Sequence, residues 1–121
     1  MNENLNQFEQ FITKLGFKKS QLSDKIVFYN NAENFSIKLI YETIIDAFII
    51  NLELIKEKEE IQNQSLQKDF SIIHNIVENM KQLNIELLWI RFVTSDENKK
   101  EVSRMLNKII DKNYSSYYSN N

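Results

Sequence analysis

A chain of 121 residues with one glycine, no proline and no cysteine has to be built from regular elements. It has neither disulfides nor the multi-glycine loops in which backbone N–H groups reach phosphate. A Walker or dinucleotide loop is therefore excluded, as are a thiolate nucleophile and a cysteine-based zinc site. Hydrophobic residues at 42% and charged residues at 26% are those of a folded globular chain rather than a disordered one. A net charge of −2 argues against nucleic acid as a partner, because phosphate binding needs clustered Lys and Arg. No apolar run approaches the roughly 18 residues of a membrane span, and Met1-Asn2-Glu3-Asn4 does not open a secretory signal. The expectation is a cytoplasmic protein without a membrane partner, and the abundance of Ile, Asn and Lys hints at an AT-rich prokaryotic genome.

Periodicity divides the chain into seven elements. Leu5, Phe8, Phe11, Ile12 and Leu15 recur at helical spacing, which predicts a helix over 3–15. Gly16 then serves as its left-handed cap, with Phe17 folding back on the last turn. Three strands are predicted next: Lys25–Asn30, a segment with Phe35, Ile37, Leu39 and Tyr41 on one face, and Ala47–Ile55. Their short connections favour an antiparallel meander. A charged loop, Lys56–Glu60, leads to a second helix over Ser65–Leu83, with Ser65 as its N-cap. Ile85–Val93 reads as a fourth strand in the same sheet, Leu87 and Trp89 facing one way and Leu88, Ile90 and Phe92 the other. Thr94 and Glu97 match a capping box for a last helix with Val102, Met105, Leu106, Ile109 and Ile110 as its buried stripe. The fold class is α+β, in the order α-β-β-β-α-β-α, with the helices packed on the sheet. One domain over 1–113 precedes a fraying tail, 114–121.

Candidates for chemistry are few. His74 and Glu78, four residues apart on the second helix, form either two ligands of a metal site or a hydrogen-bonded surface pair. Ser71 lies one turn from His74 without the glycines of a nucleophile elbow. Asp46 either points with Phe48 and Ile50 toward the covered face or sits in a turn with its carboxylate in water. No catalytic, metal or cofactor residue is assigned.

The meander, charged loop, helix, strand and final helix are similar to the core of GCN5-related acetyltransferases. That family's Gln/Arg-x-x-Gly-x-Gly/Ala signature holds the pyrophosphate of acetyl-CoA ahead of the central helix. Gln62 matches its first position, but Ser65 and Gln67 stand where small residues belong, which would crowd phosphate off the backbone. The resemblance implies a degenerate or divergent transferase. A small acidic α+β chain is also similar to dimeric secretion chaperones, which have two strands after the second helix where this sequence predicts one.

The leading expectation is a non-enzymatic binding or inhibitor protein, such as a prokaryotic immunity, antitoxin or counter-defence factor. It would occlude a partner protein sterically and electrostatically, with no cofactor. Tyr29, Tyr41, Glu42 and Glu53, with Glu57, Glu59 and Glu60 of the charged loop, form the candidate partner-binding set, an acidic face for a basic partner. Ala47, Ile49 and Trp89 form the candidate self-association set of a homodimer, provided the helices cover only one side of the sheet.

Overall fold

The N-terminal helix α1, Glu3–Lys14, shows how the chain manages with little glycine. Asn2 caps it, its side-chain oxygen accepting from the Leu5 N–H at 2.7 Å. At the other end Gly16 adopts φ +99°, so that the Phe17 N–H reaches the Ile12 carbonyl and the Gly16 N–H that of Thr13. Among the described residues Asp46 (φ 52°) and Asn84 (φ 58°) are also left-handed, side chains that tolerate this region better than most. Asn84 repeats the Gly16 arrangement after the second helix, with Ile85 bonded to Met80 and Asn84 to Lys81.

The computed structural model describes residues 2–57 and 60–93, together with the backbone of 118–120. Four antiparallel strands follow α1: β1 Lys18–Gln21, β2 Lys25–Asn31, β3 Phe35–Glu42 and β4 Ala47–Leu54. Helix α2, Asn63–Gln82, then carries the chain back so that β5, Leu87–Val93, runs parallel to β4. A three-residue strand β6, Tyr118–Asn120, lies parallel to β5 and completes a mixed sheet in sequential order. The α+β class, the meander and the placement of the strand after α2 agree with the sequence pattern. The predicted last helix, with Thr94, Glu97 and its apolar stripe, lies outside the described residues, as does all of the tail except 118–120.

Three details depart from expectation. Strand β1 carries no apolar alternation, since all four of its residues are exposed, and it forms as the edge partner of β2. Its lysines discourage further pairing at that edge. Helix α2 starts earlier than predicted, with Gln62 as N-cap, and Ser65 lies inside the first turn and is buried. In β5 the register shifts between Phe48 and Ile49: Phe48 pairs with Leu87, but Ile49 pairs with Trp89. The bulge at Leu88 puts Leu87 on the same side as Ile90 and Phe92, not with Trp89.

Both described helices pack on one side of the sheet. Phe8 of α1 meets Phe48 edge-on at 5.1 Å, and Phe28 and Tyr41 close around the same ring. Phe70 of α2 lies 5.4 Å from Phe35, which in turn meets Phe92. The core is thus two aromatic clusters, one beneath each helix, joined by Ile37, Leu39, Ile50 and Leu52. A polar hub is set into the second cluster. The Asp69 carboxylate accepts from the backbone N–H groups of Glu33 and Asn34 and from the Asn34 side-chain amide, at 2.7–3.1 Å. Ser65 accepts from the same amide and donates to the Gln62 carbonyl. This hub fastens the β2–β3 turn to α2.

A candidate protein-binding face

The opposite side of the sheet is where the candidate residues gather. Cross-strand register aligns Ser20, Val27, Ile40, Ile49 and Trp89 into one row across five strands. The next row is Lys18, Tyr29, Lys38, Asn51 and Arg91. Flanking rows hold Asn31, Ser36, Glu53 and Val93 on one side and Lys25, Glu42 and Ala47 on the other. Val27, Ile40 and Ile49 are only half-buried and stand apart from the core beneath α1 and α2. Trp89 keeps 37% and Tyr29 41% of its surface exposed. The arrangement is an apolar stripe bordered by a basic row.

The electrostatics of this face differ from the acidic patch expected. Glu42 is paired with Lys25 at 3.7 Å, which leaves Glu53 as the acid on the face without an ion pair among the described residues. Lys18, Lys38 and Arg91 form no ion pair with any described residue. Tyr41 lies on the other side of the sheet: its ring packs on Phe48, and its hydroxyl donates to the Asp46 carboxylate at 2.5 Å. Burial first, then the bond to Asp46 and its negative charge, push the Tyr41 phenol up to about 12. Glu57 and Glu60 are exposed in the loop beyond β4, and Glu59 lies outside the described residues. The structure therefore brings Tyr29, Glu42 and Glu53 onto one face and places Tyr41, Glu57 and Glu60 elsewhere. Of the self-association set, Ile49 and Trp89 stand beside each other, whereas Ala47 is buried to 1% and offers no free surface.

Asp46 occupies the turn, as one of its two expected placements has it, and its carboxylate is engaged by Tyr41. With Asn2, Asn4, Asn84 and Glu86 these two residues line a polar cleft of about 160 Å³. His74 is half-buried, and its buried Nδ1 has no hydrogen-bond partner among the described residues. Among the described residues no group of three or more His, Asp or Glu side chains is placed to hold a metal. At the N-terminus of α2, Ser65 is buried and bonded inward, where the acetyltransferase resemblance needs a glycine. Gln67, at the resemblance's other small-residue position, is exposed. No described helix is long and apolar enough to cross a membrane.

Sequence reasoning passes over two features. The hub was legible as a polar residue on an apolar stripe, because Asp69 falls at helical spacing between Leu66 and Ile73, and both neighbours are buried. The other is an apolar tip, with Ile44 88% and Ile45 55% exposed in the β3–β4 turn and Leu22 53% exposed in the neighbouring β1–β2 turn. The two turns are tied by the Thr43 N–H and hydroxyl, both donating to the Asp24 carbonyl.

Comparison of the chain with protein-family models, curated proteins and solved structures finds no match.

Proposed function

We propose that this protein is a non-enzymatic binding module that acts by covering a partner protein, and that the open sheet face is its working surface. The observation that carries the reading is the stripe Val27–Ile40–Ile49–Trp89, which neither α1 nor α2 covers. A contiguous apolar surface rimmed by polar residues is the usual mark of an interaction site. Tyr29 and Trp89 supply the rigid aromatic anchors that tend to dominate interface energetics. An immunity, antitoxin or counter-defence factor would use such a surface for occlusion.

Two other readings make different predictions. A transferase-like domain would bind acetyl-CoA, and a ligand that binds only the folded state at 100 times its Kd stabilises by about 2.7 kcal/mol. Thermal denaturation with acetyl-CoA and with nucleotides should therefore leave the midpoint unchanged, and a saturable rise with either would overturn the non-enzymatic reading. A chaperone-like homodimer is favoured by the adjacency of Ile49 and Trp89 on the same face. Sedimentation of the wild type against Ile49→Glu separates that case: the dimer reading expects a dimer in the first and a monomer in the second.

A further inference from the structure

We infer that the partner surface received by the open face is an acidic, apolar segment of another protein, an inference that rests on the binding reading above. The sign follows from the register. Lys18, Lys38 and Arg91 stand on alternate strands of one row, separated by Tyr29 and Asn51, with no acid between them. Strands lie about 4.8 Å apart, so neighbouring cations along the row are roughly 10 Å from each other. The stripe beside them is aliphatic and ends in an aromatic. A complementary surface carries Leu-, Ile- or Phe-type side chains along one line and carboxylates along the next. Carboxylates there restore pairing to cations that no described acid serves.

The alternative occupants fit less well. A second copy would face each set of three cations with one free carboxylate, Glu53, so the basic rows would be buried largely without counter-charges. The face is also small for that purpose. Five strands at about 4.8 Å and six residues at about 3.3 Å outline roughly 480 Å², well under the 800 Å² per partner of a standard interface. A single-stranded nucleic acid would want stacking platforms along its path, but Tyr29 and Trp89 are three strands apart, with Ile40 and Ile49 on the strands between. A segment of protein matches both the area and the chemistry.

Trp89 is the chain's one tryptophan and stands on the face itself, so its fluorescence reports occupancy directly. The test is selection of a random peptide display library on the full-length protein, followed by Trp89 fluorescence titration with the enriched peptides. The proposal expects enrichment of Asp and Glu together with large apolar residues. It also expects weakening of about tenfold or more by Lys38→Glu and by Arg91→Glu, with folding unchanged by circular dichroism. Ile49→Asp should abolish binding, and added salt should weaken it. Enriched peptides that are basic or neutral, yet lost with Ile49→Asp, would overturn the acidic partner and leave the binding face standing. Peptides unaffected by Ile49→Asp, or no enrichment at all, would overturn both. Oligothymidylate quenching Trp89 more tightly than any peptide overturns the proposal in favour of nucleic acid. A wild-type dimer that Ile49→Glu dissociates overturns it in favour of self-association.

Discussion

Replacing Asp69 with alanine should be among the most costly single changes away from the hydrophobic core. The carboxylate is 2% exposed and accepts three hydrogen bonds, two of them from Asn34, which is fully buried. Truncation leaves the Asn34 backbone N–H without a partner and its side-chain amide bonded only to Ser65. The Glu33 N–H belongs to an exposed residue of the turn and can turn to water. A buried donor stripped of its acceptor costs about 1–3 kcal/mol, and with the second, partly served donor on Asn34 the loss is roughly 2–5 kcal/mol. That is a large fraction of the 5–15 kcal/mol of a typical domain. Asn34→Ala makes the control, because it removes the amide along with its bonds, and with it an Oδ1 that has no partner among the described residues, but leaves Asp69 serving the backbone. It should cost less, about 1–2 kcal/mol. Urea titration with an unchanged m-value measures both, and amide exchange at Glu33 and Asn34 localises the effect to the β2–β3 turn. A loss under about 1 kcal/mol for Asp69→Ala, or unaltered exchange at Asn34, would refute the hub as the fastening between hairpin and helix.

Further outcomes follow from the cap and the half-buried phenol of Tyr41. Gly16→Ala should lose about 1–2 kcal/mol in urea denaturation, since φ +99° is left-handed and the new Cβ would sit 3.3 Å from Asn30 Nδ2. Gly16→Asn should lose less, as Asn84 occupies the equivalent cap of α2. Tyr41 should titrate near pH 12 by its ultraviolet tyrosinate signal. The unfolded phenol ionises near 10, so the stability from this group is complete below about pH 10 and falls away as pH rises toward 12. Asp46→Asn should lower the Tyr41 value only part of the way to 10, because burial is the larger cause. A return all the way would reverse that order.

How far the fold was legible depended on whether a segment carried its own period. Helix α1 and its glycine cap, the alternating strands β3 and β4, and the second helix can be read from residues within each segment. Strand β1 cannot, because Lys18-Lys19-Ser20-Gln21 has no apolar face and becomes a strand only beside β2. The β5 bulge is equally silent: Leu87 through Val93 is apolar on both parities, and only pairing with Phe48 and Ile49 shows where the register slips. Ser65 resembles an N-cap by type and position, but its hydroxyl accepts from the side-chain amide of Asn34, 31 residues away in sequence, and is drawn inside.

The candidate face shows the same divide between local and non-local information. Parity within each strand is enough to put Tyr29, Glu42 and Glu53 on one side of the sheet. It does not say that Lys25 neutralises Glu42, nor that Lys18, Lys38 and Arg91 fall in one line, since those facts belong to register between strands. The formal charge of −2 sums acids and bases over the whole chain, and an acidic total suggests a basic partner. Charge acts on a partner over about a Debye length of 8 Å, however, so the nearest rows set the sign that partner meets. On this face one row beside the stripe is basic, and the other, where Lys25 pairs with Glu42, is neutral. On the proposed reading the stripe is where a partner binds, and the adjacent row is the ground for an acidic contacting segment.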